Sequence, residues 1–195
     1  IRYWKFTDVT KEAGITYDEL HSDPLWVDLD NDGDLDLFIT SVYENDRSYL
    51  YENNGDGSFT DITWLSGARI YNGWGNAMGD LNRDGLADIV VGSGNGIKVL
   101  INRTRTKNKA LWVKPVWENG KRILVRDWKE SVAKPNSPAF GTRVKLTYMD
   151  KGREKSLIRE LSSAKGTCSQ SSQELHFGYG RGKKPEIELI NYEED

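Results

Sequence analysis

At 195 residues, with 37% hydrophobic and 29% charged side chains, the chain is long enough to bury a real core and too apolar for wholesale disorder. No apolar run approaches the roughly 18 residues of a membrane span, and a single cysteine, Cys168, excludes a disulfide within the chain. The net charge of −3 conceals an asymmetry: residues 1–100 hold 18 acidic against 7 basic side chains, a net of −11, and residues 101–195 hold 12 against 20, a net of +8. In the basic half, Lys and Arg alternate with apolar residues as on a solvated sheet face, so no nucleic acid is expected as partner. A start at Ile1 and not Met reads as a processed or excised chain, so the lack of a signal peptide does not argue for the cytosol.

Gly, Trp and Tyr are frequent and helix cues scarce, which predicts an all-β protein; only residues 8–20 and 127–133 suit a short helix. Phe6-Thr7-Asp8-Val9-Thr10 returns 53 residues later as Phe59-Thr60-Asp61-Ile62-Thr63. Asp28-Leu29-Asp30-Asn31-Asp32-Gly33 returns 52 residues later as Asp80-Leu81-Asn82-Arg83-Asp84-Gly85. A period near 50 suits a blade of about four short strands. The first unit is expected to place strands at 25–28, 35–40, 48–52 and 58–63, with a tight turn at 53–57. The second repeats this at 76–79, 87–92 and 97–102, with a turn at 93–96. Residues 6–10 then read as the last strand of an incomplete preceding unit. The period breaks after Asn102. Residues 103–109 read as a basic linker, and strand-like runs at 110–117, 143–148, 154–161, 174–177 and 186–190 predict a second, small β module. The expected division is about two propeller-blade-like antiparallel sheets over 1–104 and the second module over 105–195.

The acidic loops carry the chemistry. Calcium takes six to eight oxygens at roughly 2.3–2.6 Å, and alternate residues of a tight loop aim several carboxylates at one point. In the first loop Asp28, Asp30 and Asp32 supply carboxylates, Gly33 permits the turn, the Asp34 carbonyl follows and Asp36 closes the site. A helix–loop–helix calcium loop needs Glu at position 12; here that position is Ile39, in an apolar strand. The second loop offers Asp80, Asn82, Asp84, the Leu86 carbonyl and Asp88. With one carboxylate fewer it should bind more weakly. Glu52-x-Asn54-x-Asp56-Gly57 imitates the pattern but has Thr60 at the closing position, and reads as a hairpin turn.

Trp26-Val27-Asp28-Leu29-Asp30-Asn31-Asp32-Gly33-Asp34-Leu35-Asp36-Leu37 resembles the FG-GAP/VCBS repeat of integrin α-subunit propellers and many secreted bacterial proteins. Asn53 to Thr63 is similar to the end of that repeat, and Gly73-Trp74-Gly75-Asn76-Ala77-Met78-Gly79-Asp80 to the start of the next. The resemblance covers about 5–103 and implies propeller blades with calcium in hairpin loops. Gly141-Thr142-Arg143-Val144-Lys145-Leu146 and Ser169-Gln170-Ser171-Ser172-Gln173-Glu174-Leu175-His176-Phe177-Gly178 resemble the ASPIC/UnbV module, over about 110–190.

Other candidates carry less. Cys168 and His176 could pair as nucleophile and base, but no orienting Asp or Asn stands near them in sequence. His21 has acidic neighbours and no second His, so a packing or surface role is expected. Gly92 to Gly96 is Gly-rich but leads into a strand, whereas a phosphate loop needs a helix N-terminus. Asn102-Arg103-Thr104 is a candidate glycosylation sequon. The functional expectation is an extracellular or cell-surface, calcium-stabilised, non-enzymatic adhesion or assembly module with two Ca2+ sites. It either self-associates, as a subunit of a fibre or surface layer, or forms part of a larger propeller, because two blades cannot close a ring. Carbohydrate binding through Trp64, Tyr71, Trp74 or Trp117 is the alternative; the plainer expectation places those aromatics in sheet cores.

Overall fold

The computed structural model describes residues 3–16, 20–126, 137–163, 169–183 and 185–190. The first unit is an antiparallel meander of β1 (His21–Val27), β2 (Asp36–Ser41), β3 (Tyr49–Asn53) and β4 (Phe59–Asp61), in that order, followed by α1 (Thr63–Ser66). The second is β5 (Gly73–Gly79), β6 (Asp88–Ser93) and β7 (Gly96–Leu100), again antiparallel and in sequence order. Pro24 lies within β1, which is tolerated because β1 is an edge strand and the missing N–H leaves no broken ladder bond. In β1, Asp23, Leu25 and Val27 are buried on alternate positions.

The C-terminal half adds two sheets. β8 (Ala110–Glu118) pairs with β9 (Lys121–Val125), β10 (Ser137–Pro138) and β13 (Leu175–Gly178). β11 (Arg143–Asp150) lies between β12 (Arg153–Glu160) and β14 (Glu186–Ile190). All strand pairs are antiparallel, and the fold is nearly all-β with sheets of propeller-blade type. No helix among the described residues is long and apolar enough to cross a membrane.

Three clusters of buried side chains hold these sheets. The first joins the two units: Leu25, Val27, Phe38 and Leu50 of one face Ala87, Ile89 and Val91 of the other, and Trp112 from β8 packs on its margin. Between the outer parts of the units a cavity of about 660 Å³ remains, lined in part by Leu29, Ile62, Leu100 and Asn102. The second cluster, with Val113, Val144, Leu146, Leu175 and Phe177, closes the C-terminal sheets on each other. The third lies on the far face of the first unit, where Leu37, Ile39, Tyr49 and Tyr51 receive Ile15. Phe38 and Tyr51 are fully buried, and truncating either to Ala costs about 3–5 kcal/mol.

Several elements differ from the sequence reading. Residues 6–10 form no strand: Phe6 is exposed, and Asp8 Oδ1 accepts from the N–H and hydroxyl of Thr10, turning the chain. The following turn lays Ala13 against β4 through the Phe59 N–H bond to Ala13 C=O (2.8 Å). The described part of 8–20 is therefore turn and extended chain, not helix; 127–133 lies outside the described residues. The basic stretch 103–109 has no regular structure yet is fastened, with Lys109 N–H on Gly180 C=O and Tyr179 N–H on Lys109 C=O. Residues 92–96 form the β6–β7 hairpin and no phosphate loop.

Candidate metal centre

Each acidic loop joins the first two strands of its unit, 28–35 between β1 and β2 and 80–87 between β5 and β6. The second loop repeats the backbone N–H bonds of the first. Asp28 Oδ2 accepts from Gly33 N–H (3.0 Å) and Asp80 Oδ2 from Gly85 N–H (2.9 Å). The N–H of Asp32 donates to Asp28 and Asp30 (3.2 and 3.1 Å), and that of Asp84 to Asp80 and Asn82 (3.1 and 3.2 Å). Asp34 N–H meets Asp32 and Leu86 N–H meets Asp84, at 2.8 and 2.9 Å. The wrap needs left-handed backbone twice per loop, at Asn31 and Gly33 and again at Arg83 and Gly85. Glycine meets that need without strain, and Asn tolerates it better than most residues.

Asp28, Asp30 and Asp32 each offer an oxygen within 4.8 Å of the other two. Two oxygens on opposite sides of one calcium ion stand about 5 Å apart, so one ion can touch all three. Among the described residues no other set of three carboxylate, His or Cys groups converges in this way. Asp28 is buried, and burial followed by repulsion from Asp32 pushes its carboxyl up to about 7, against the Gly33 N–H bond. Burial also raises the carboxyls of Asp30, Asp32 and Asp80. A desolvated, crowded set of hard oxygens without nitrogen or sulfur donors suits a hard divalent cation.

Asp36 and Asp88 stand apart from the converging group. Asp36 gives one oxygen to Leu29 N–H (3.0 Å) and the other to Asn53 N–H (2.9 Å). Asp88 does the same for Leu81 N–H (2.8 Å) and Asn102 N–H (2.8 Å). Both side chains are buried, and burial pushes Asp36 up to about 6 against those two N–H bonds. Asp36 thus latches its loop to the end of β3, and Asp88 latches its loop to the segment just after β7. Asn53 and Asn102 complete the latch: Asn53 Nδ2 donates to Leu35 C=O (3.0 Å), and Asn102 Nδ2 to Leu29 C=O and Ala87 C=O (2.8 and 3.1 Å). Both hydrogens of the Asn102 amide are thus engaged inside the fold. Asp34 and Leu86 follow the two wraps in sequence, and the Asp34 carboxylate is not part of the converging set. In the second loop Asn82 Nδ2 turns to Asp84 (2.8 Å), so this site has an internal bond where the first has a third carboxylate.

The remaining candidates separate. His176 is buried, stacks on Trp112 at 4.4 Å, and burial followed by the charge of Arg159 drives its pKa down to about 3. A neutral, enclosed imidazole is a poor acid–base group at neutral pH; Cys168 lies outside the described residues. His21 packs edge-on against Tyr49 and pairs with Ser41 Oγ at 3.1 Å. Trp64, Trp74 and Trp117 are exposed and Tyr71 half-buried, so they do not fill sheet cores as the plainer expectation had it. Arg69 lies between Trp64 (4.1 Å) and Tyr71 (4.9 Å), and Arg122 over Trp117 (5.0 Å).

Residues 28–91 match the FG-GAP-like repeat, residues 72–113 the FG-GAP repeat, and residues 132–190 the ASPIC and UnbV family. Cartilage acidic protein 1 of Xenopus tropicalis is 41% identical over 76 residues, covering 38% of this chain and 11% of that protein. The Homo sapiens protein of the same name is 40% identical over 76 residues, again 38% of this chain and 11% of the relative. The match thus spans about a tenth of those relatives' length.

Proposed function

We propose, for a chain that carries FG-GAP repeats and an ASPIC/UnbV domain, an extracellular, non-catalytic matrix-type module whose fold is stabilised by two calcium ions. The convergence of Asp28, Asp30 and Asp32 carries this reading. Those residues, with the Asp34 carbonyl, would hold the first ion, and Asp80, Asn82, Asp84 and the Leu86 carbonyl the second. Asp36 and Asp88 position the loops and lend negative charge. The cation neutralises carboxylates that burial and mutual repulsion otherwise penalise, and a ligand held only by the folded chain stabilises it. The relatives' name, cartilage acidic protein 1, accords with an extracellular setting.

The exposed apolar residues of the second unit, Trp74, Ile97 and Val99, lie on a three-stranded sheet whose last strand has no partner strand along its outer edge among the described residues. Such an edge suits assembly, either with copies of this chain or with further blades of a larger propeller. Thermal melting in calcium and in excess chelator, with light scattering on the same samples, tests both parts. An unchanged melting temperature ends the calcium reading, and a concentration-independent monomer ends self-association. Binding of glycans is a second reading, favoured by the exposed Trp64–Arg69–Tyr71 stack; a glycan array without signal removes it.

A further inference from the structure

The C-terminal sheets sit directly on the first acidic loop. Gly180 N–H donates to Asn31 C=O (2.8 Å) and Asn108 Nδ2 to Asp30 C=O (3.0 Å). Both acceptors are main-chain carbonyls interleaved with the converging carboxylates. The surfaces also interlock. A Cβ on Gly178, in β13, would stand 2.6 Å from Asn31 Cα and run into the Asp28 carboxylate. A Cβ on Gly33 would stand 2.8 Å from the Tyr148 hydroxyl oxygen and 3.3 Å from Gly178 C=O. The second loop is held in the same way, by Trp112 Nε1 on Gly85 C=O (3.3 Å) and by the Arg83–Glu174 ion pair (3.0 Å).

We propose that calcium occupancy of the first loop and seating of the C-terminal sheets are coupled, each strengthening the other. The proposal rests on the calcium reading above. With an ion in place, the loop stays wrapped and presents Asp30 C=O and Asn31 C=O at the positions Asn108 and Gly180 require. Without it, the three carboxylates relieve their repulsion by moving apart, which displaces those same carbonyls. The seated sheets in turn leave the loop little room to open, so they preorganise the ion site. Coupling of this kind is reciprocal by thermodynamic necessity. Long-range charge works in the opposite direction, since calcium weakens the pull of the acidic loop on Lys155 and Arg159. Lys155 is half exposed, so salt screens it; the half-buried Arg159 keeps its attraction to Asp28, and the hydrogen bonds and interlocked backbones, which tolerate little displacement, must outweigh it.

Hydrogen exchange on the full chain, in calcium and in chelator, tests the coupling. Chelation should speed exchange at the Lys109, Tyr179 and Gly180 amides and across β13. Calorimetric calcium titration of Gly178→Ala should show affinity lowered roughly tenfold, within the usual span of coupled sites. Asn108→Ala, which removes one hydrogen bond and no backbone fit, should lower it by roughly threefold to tenfold and serves if Gly178→Ala does not fold. Calcium binding to the wild-type chain with identical exchange at these amides overturns the coupling and leaves the calcium reading intact. No calcium binding overturns both.

Discussion

Replacing Asp36 with Ala should separate a latch from a ligand. Asp36 is 6% exposed, and its two oxygens receive Leu29 N–H at 3.0 Å and Asn53 N–H at 2.9 Å. Truncation leaves two part-buried N–H groups without their acceptor, each costing about 1–3 kcal/mol. Relief of the burial that pushes Asp36 up to about 6 offsets part of this. The expected net loss is about 3 kcal/mol, or a melting temperature lower by roughly 6–12 °C for a chain of this length. Urea unfolding followed by tryptophan fluorescence measures it, in calcium and in excess chelator. Because the latch consists of backbone bonds, the loss should persist in chelator. A destabilisation that disappears there would refute the assignment and return Asp36 to the ion.

In chelator, Asp28 and Asp36, whose carboxyls sit at about 7 and about 6 in the folded chain, bind protons more readily folded than unfolded. Their contribution to stability therefore falls as pH rises from about 4 through 7: calorimetry should find the metal-free protein more stable at pH 5 than at pH 8, and the reverse order in saturating calcium. Asp32→Ala should weaken calcium binding more than Asn82→Ala, because it removes a charged ligand from the converging group; equal losses by titration would contradict the ranking. Asn102→Ala should cost about 2 kcal/mol in urea unfolding, since it frees the Leu29 and Ala87 carbonyls it bridges at 2.8 and 3.1 Å.

The repeat was legible because its landmarks are chemical: carboxylates on alternate positions and Gly33 or Gly85 at the wrap are recurrent local demands. Apolar runs gave the strand positions, though β1 and β5 begin three or more residues earlier than expected. Ser22, Asp23 and Pro24 look like turn residues, and only tertiary bonds explain their place in β1, such as Asp23 carboxylate to Asn76 N–H at 3.0 Å. Residues 6–10 misled by their likeness to 59–63. The motif makes a strand only where a neighbouring edge receives it, and at 59–61 that edge is β3. The amide bonds that Asp36 and Asp88 accept from Asn53 and Asn102 were hidden, because spacing cannot tell which oxygens of a loop carboxylate meet a backbone N–H. The close fit of Gly178 on Asn31 joins residues far apart in the chain, and no local pattern announces it.

On the proposed reading, two loops with the same wrap hold two cations of unequal affinity. A calorimetric calcium titration of the full chain, repeated on Asp30→Ala, tests it most directly. Two ions per chain are expected for the wild type, with the tighter one lost in the variant and the weaker one retained. No calcium uptake, or a tighter site that survives Asp30→Ala, would contradict the account.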